Sequence, residues 1–219
     1  MSEENEQTPK KKYYDYISVG NRTPQRAYFV QQHDKNKMFE ELLKEMNDKQ
    51  TLVIVKSKRG ADSLMEYLKA QGINSISIHG NHRASQIVDA QTAFNAKKTA
   101  ILITTDRIFE TMTLEDTRLL INYDLPIDAP DYFLRLRQVD EVGESISLID
   151  PEDENMLAMV ELMMKCEMKE VEIKGFEHTN RVQSRPKDKT KKPRHQKVKQ
   201  RAKRIAEIKS KWIPTEDVK

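Results

Sequence analysis

The chain has 219 residues, 33% of them charged and 37% apolar, a length that suggests one domain plus extensions. No apolar run reaches the roughly 18 residues that span a bilayer, and residues 1–12 lack the apolar stretch of a secretory signal. The single cysteine, Cys166, excludes an internal disulfide, so a cytoplasmic, reducing setting without membrane association is the expectation.

The net charge of +3 hides a segregation. Residues 181–211 hold fourteen Lys and Arg against Asp188 and Glu207, a net of +12, so the rest of the chain carries −9. Blocks of one sign mark interaction tails. If the protein holds a polyanion, this arm is the first part of the chain to test.

In chain order, residues 1–25 read as a polar leader with Tyr13, Tyr14 and Tyr16 clustered. Ala27–Val30 reads as a strand. Met38, Phe39, Leu42, Leu43 and Met46 then give a helix one apolar face. Leu52–Val55 is a short run, apolar on both faces. Ala61, Leu64, Met65 and Leu68 form a helical stripe that Gly72 closes. Ile73–Ile78 reads as a strand ending at His79-Gly80, and Ile87, Ala90, Gln91 and Phe94 as a helix. Ala100–Thr104 and Leu119–Tyr123 are further strands, the second ended by Leu125-Pro126. A short helix around Pro130–Leu136 leads to a strand at Ser145–Ile149, and Pro151 opens a helix that runs to about Lys165.

Strands that alternate with helices and are apolar on both faces predict a three-layer α/β domain with a mostly parallel sheet. Its boundaries are set at residues 26–177, with the leader at 1–25 and a basic tail at 178–219 that is either disordered or partly helical. In such sheets function sits at the carboxyl ends of the strands. Those ends are Lys56–Arg59, His79–Asn81, Thr105–Arg107 and Asp124–Pro126.

These ends carry a resemblance. VIVKSKRGADSLMEYLKAQGINSISIHG (residues 53–80), ILITTD (101–106), LLINYDLPIDAPDYFLRL (119–136) and SLIDPEDE (147–154) stand in the order and spacing of the C-terminal RecA-like domain of DEAD-box RNA helicases. Residues 27–165 resemble that domain throughout. The resemblance implies a RecA-like fold. It also implies RNA contacts at Ser57, Lys58, Arg59, Thr105 and Asp106, with Arg135 retained from the sixth motif; Gly80 reads as a close backbone approach to phosphate.

The departures from the family pattern bear on ATP. Where the family has Arg-Gly in the fifth motif the chain has Glu110-Thr111, and the Asp that faces the nucleotide is Thr113. The two arginine-finger positions are Gln138 and Glu141. Ala84 and Ile87 stand where a Gln-x-x-Arg element belongs. A finger is worth about 10³–10⁵ in phosphoryl-transfer rate, and Glu141 would repel phosphates. Residues 1–219 contain neither a Gly-x-x-x-x-Gly-Lys-Ser/Thr loop nor an Asp-Glu-Ala-Asp run. No cofactor is expected, ATP entering only if a first helicase domain is supplied separately.

Each singled-out feature has a plainer reading. Thr105-Asp106 and Ser57–Arg59 are also ordinary turn and capping residues, and Gly80 is also a simple turn. His79 and His82 have no Cys or His partners at metal-ligand spacing, so no metal site is expected. Cys166, among Met163, Met164 and Met168, reads as a buried structural thiol. In the arm, Lys191, Lys192, Arg194, Lys197, Lys199, Arg201, Lys203 and Arg204 are dense enough to neutralise several phosphates without base specificity. Val198, Ala202, Ile205, Ile208 and Trp212 would give a helical arm one apolar side.

The leading expectation is a non-catalytic module that binds RNA or ribonucleoprotein. Two alternatives stay open: a helicase component that closes over ATP with a separate first domain or assembly partner, and a protein-interaction scaffold.

Overall fold

The computed structural model describes residues 14–46, 49–140, 142–179 and Lys203. The elements are α1 (Tyr16–Arg22), β1 (Gln25–Phe29), α2 (Lys35–Glu45), β2 (Thr51–Ile54), α3 (Lys58–Ala70), β3 (Ile76–Ile78), α4 (Ala84–Asn95), β4 (Ile101–Thr104), α5 (Asp106–Phe109), β5 (Leu119–Asn122), α6 (Ala129–Leu136), β6 (Glu144–Ile149), α7 (Glu154–Met164) and β7 (Lys169–Glu170). Among the described residues the strands form one sheet in the order β3-β4-β2-β5-β6-β1-β7. Every pairing is parallel, so the mostly parallel sheet expected from sequence is parallel throughout.

The β-branched runs explain the sheet. Every residue of β2, β4 and β5 is buried. Side chains alternate across the pleat, so each strand feeds two cores. Leu52, Ile54, Leu102 and Leu120 pack on one face with Phe94, Tyr132, Phe133, Leu157 and Met164. Val53, Ile103 and Ile121 pack on the other with Phe39, Leu42, Leu64 and Leu68. Each fully buried large side chain contributes about 1.5–3 kcal/mol. Helices cover both faces, as in a RecA-like α/β domain. No helix among the described residues is long and apolar enough to cross a membrane.

Three differences from the sequence reading have a local reason. The strand read from Ile73 starts at Ile76. Gly72 adopts φ +74°, and the Ile73 amide turns back to the Leu68 carbonyl at 2.9 Å, so Ile73 belongs to the turn that ends α3. The helix read from Pro151 starts at Glu154. The Asp150 carboxylate accepts from the Glu152 amide at 2.7 Å and the Asp153 amide at 3.1 Å, a side-chain turn that delays the helix. The leader contributes α1, whose first turn is capped by the Asp15 carboxylate accepting from the Ile17 and Ser18 amides. Val19 on that helix is fully buried and Tyr16 stacks on Phe133 at 4.6 Å between centroids. Arg22 grips Asp140 with two bonds of 3.0 and 2.9 Å. Cys166 is half-buried against the core, and burial pushes its thiol pKa up.

Candidate nucleic-acid interface

Because all strands run parallel, their carboxyl ends share one edge. The sheet order sets β3, β4 and β2 side by side there, with Ile78 and Ile54 both in register with Thr104. Neighbouring strands lie about 4.8 Å apart, so the segments that leave them are neighbours too. That brings Ser57-Lys58-Arg59, Gly80 and Thr105-Asp106 into one strip.

Within the strip, Lys56, Ser57, Lys58, Arg59 and Gly80 are exposed, and Thr105 and Asp106 half-buried. The Ser57 hydroxyl accepts from the Gly60 amide at 3.0 Å and so caps α3. Lys58 Nζ donates to Asn81 Oδ1 at 2.7 Å, bridging the ends of β2 and β3. It crosses directly over Gly80, where an added Cβ would lie 3.3 Å from Lys58 Cε. Gly80 therefore makes room for a lysine. Arg59 has no ion pair or side-chain hydrogen bond among the described residues, and its guanidinium is open to a ligand. His79 is 3% exposed and meets Asp62 at 2.8 Å, which ties the end of β3 to α3; this is a structural use of that histidine.

Arg135 sits differently from the other sequence candidates. It is 1% exposed, beneath the edge. Its guanidinium donates to both Asp106 oxygens at 2.5 and 2.6 Å, to Asn122 Oδ1 at 2.9 Å and to the Asp124 carbonyl at 2.8 Å. Asn122 passes the network on to Ser145 and Ser147 of β6. Arg135 thus presents no charge to the surface. It neutralises Asp106, which would otherwise repel phosphate from the strip.

The finger position Gln138 is also committed inward. Its amide donates to the Leu114 carbonyl at 2.8 Å and to Thr117 Oγ1 at 3.3 Å. Gln91 and Asn95 of α4 hold the same loop, through the Thr113 amide and carbonyl and the Glu115 amide. Arg137, the nearest cation in sequence, donates to the Tyr14 carbonyl at 2.7 Å. Glu141 lies outside the described residues. So does the basic arm, with Lys191, Lys192, Arg194, Lys197, Lys199, Arg201 and Arg204; Lys203 is described and exposed.

Sequence reasoning passed over Lys35. Its side chain is fully buried, with Nζ 3.1 Å from Asp124, 3.0 Å from Asp150 and 3.3 Å from Asp153. Burial pulls the ammonium pKa down, but the three carboxylates outweigh it and hold the pKa above the usual lysine range. The signal was present: Lys35, Met38, Phe39, Leu42 and Met46 share one helical face. The cluster ties the ends of β5 and β6 to α2 and polarises the edge. One ammonium against three carboxylates leaves the β5–β6 end acidic, whereas Lys56, Lys58 and Arg59 make the β3-β4-β2 end basic.

Residues 34–140 match the helicase conserved C-terminal domain. Over 152 residues the chain is 27% identical to the ATP-dependent RNA helicase SUB2-2 of Vanderwaltozyma polyspora, covering 68% of this chain and 34% of that protein. It is 30% identical over 156 residues to the ATP-dependent RNA helicase vasa of Drosophila melanogaster, covering 67% of this chain and 23% of that protein. The chain thus spans about a third of one relative and under a quarter of the other. In structure it is similar to the E. coli DEAD-box protein SrmB, solved bound to regulator of ribonuclease activity A. The TM-score is 0.68 at 21% identity, over 74% of this chain and 98% of that one.

Proposed function

We propose that this chain, whose residues 34–140 match the helicase conserved C-terminal domain, binds RNA without hydrolysing ATP on its own. The strip over β3, β4 and β2 meets the phosphates, and the basic arm adds affinity. The observation that carries this reading is the juxtaposition of exposed Ser57, Lys58 and Arg59 with Gly80 and Thr105 on adjoining strand ends, beside an Asp106 already neutralised by Arg135. Backbone amides, hydroxyls and cations in a row suit a sugar-phosphate backbone and carry no base code. Arg135 acts through Asp106 and is a positioning residue.

Support for the second half of the proposal is chemical. The transferring phosphoryl group needs positive charge aimed at its oxygens. At the finger position Gln138 spends its amide on Leu114 and Thr117, and Arg137 is engaged by Tyr14. ATP enters only if a separate first helicase domain brings its own phosphate cradle.

Filter binding of single-stranded RNA across a salt series tests the proposal, using the full chain, a chain ending at Glu177, and Lys58→Ala with Arg59→Ala. Each lost phosphate contact lowers the slope of log K against log salt by about 0.7 for a single strand. The double variant is expected to lose affinity and slope, and the shortened chain to lose more. Undiminished binding by both variants overturns the assignment.

A further inference from the structure

The opposite edge of the sheet carries a second basic feature, independent of the strand-end strip. At the amino-terminal ends of β2, β4 and β5 lies a cavity of about 670 Å³ whose lining includes Lys49, Gln50, Lys97, Lys98, Asp116 and Arg118. The volume falls within the range of about 300–1,000 Å³ usual for small-ligand sites. Four of these six side chains are cationic and one is a carboxylate.

The cations are under-compensated. Asp116 is shared by Lys97 at 2.6 Å and Arg118 at 2.5 Å. Glu144 is shared by Lys49 at 2.8 Å and Arg26 at 2.5 Å. Lys98 is exposed and has no ion pair or side-chain hydrogen bond among the described residues. This excess of positive charge sits on a body that carries −9 outside its basic arm.

Two of the three non-glycine residues with positive φ among the described residues fall at the same place, the third being Lys165 at the end of α7. Lys97 has φ +57° and Asp116 φ +52°. Lys97 terminates α4, its amide bonding to the Phe94 carbonyl and the Lys98 amide to the Ala93 carbonyl. That is the position where glycine is favoured, and a side chain there costs on the order of 1 kcal/mol. The helix dipole favours the cations Lys97 and Lys98 just past the end of α4. The two side chains meet as an ion pair at 2.6 Å in the cavity wall.

We propose that this cavity is a binding site for a compact anion bearing several closely spaced phosphates. Lys97, Lys98 and Arg118 bind the phosphates, and Asp116 holds Lys97 and Arg118 in place until the anion arrives. Shared chemistry could come from a small polyphosphate or from the phosphates of an RNA strand. Lys97, Lys98 and Arg118 line one cavity of about 670 Å³, a size that suits the small ligand.

The test is isothermal titration of the full chain with sodium tripolyphosphate at low salt, beside Lys97→Gly and Lys98→Gln. A twelve-nucleotide RNA without terminal phosphate forms a second arm. One saturating site is expected, weakened about tenfold by either substitution, as loss of one charge-assisted contact implies. Lys97→Gly should melt at the same temperature as the parent or higher, since glycine relieves the left-handed backbone, so its loss of binding is not a loss of folding. Tripolyphosphate binding that both substitutions leave unchanged would assign the anion to the basic arm and overturn the proposal. So would RNA binding that falls tenfold in Lys97→Gly while tripolyphosphate does not bind. If RNA binding at the strip fails and the tripolyphosphate result holds, only the strip reading is lost.

Discussion

Replacing Lys35 with methionine should unfold much of the margin on which the domain depends. The ammonium is fully buried and lies within 3.3 Å of Asp124, Asp150 and Asp153, whose side chains keep 18%, 9% and 13% of their exposure. Removing it leaves three carboxylates facing one another. Breaking a buried pair from one side costs about 3–5 kcal/mol. Residual exposure lets the carboxylates recover some hydration, so the lower end, about 3 kcal/mol, applies at pH 7. Against a typical stability of about 5–15 kcal/mol that is a large share, and with an m-value near 2 kcal/mol/M it moves a urea midpoint by about 1.5 M.

The pH dependence gives a second check. In the parent, Lys35 has its pKa raised, so its contribution is complete below the usual lysine value and is lost only as pH rises through the raised one. Burial raises Asp150, but Lys35 and two backbone amides lower it more, so its contribution is lost as pH falls below the usual carboxylate range. Asp153 is raised, chiefly by burial, and has the opposite sign. In Lys35→Met the attraction that lowers Asp150 and opposes the rise of Asp153 is gone, folding takes up protons, and stability rises as pH drops from 7 towards 5. The gap between parent and variant should therefore narrow over that window. A gap below 1 kcal/mol at pH 7, or one that stays constant down to pH 5, would show that Lys35 does not hold the three carboxylates together.

Other substitutions probe separate parts of the same edge and sheet. Arg135→Ala leaves Asp106 unpaired above a broken network and should cost about 3–5 kcal/mol in chemical unfolding. Ser57→Ala removes the cap of α3, and the same measurement should read about 1 kcal/mol. Gly143→Ala would drive a Cβ into the Arg118 backbone, 2.8 Å from its carbonyl carbon, where β5 meets β6. Thermal unfolding should report a loss of about 1–3 kcal/mol.

Much of this architecture was legible because it depends on periodicity. The runs of β2, β4 and β5 are apolar on both faces, short and rich in branched residues, which marks strands inside a helix-covered sheet. What escaped depends on pairing or on single contacts. β7 has two exposed residues and no alternation, and exists only through β1. α1 buries only Val19 and Gly20 and owes its place to an Asp15 cap and to Arg22 on Asp140, a partner 118 residues away. At the site, the strip was legible from strand-end positions, since parallel strands bring those ends together. The fate of Arg135 was not, because its depth is set by Asn122 and Asp106 from two other elements. Gln138 likewise reads in sequence as an absent finger, while in the fold its amide is a tie for the 113–117 loop.

RNA affinity measured with and without magnesium-ATP separates binding that does not draw on ATP from binding coupled to hydrolysis. Fluorescence anisotropy of a labelled single strand, read alongside phosphate release, should give the same dissociation constant in both conditions and no RNA-stimulated release. An affinity that changes severalfold with ATP, accompanied by RNA-dependent phosphate release from the chain alone, would contradict the account.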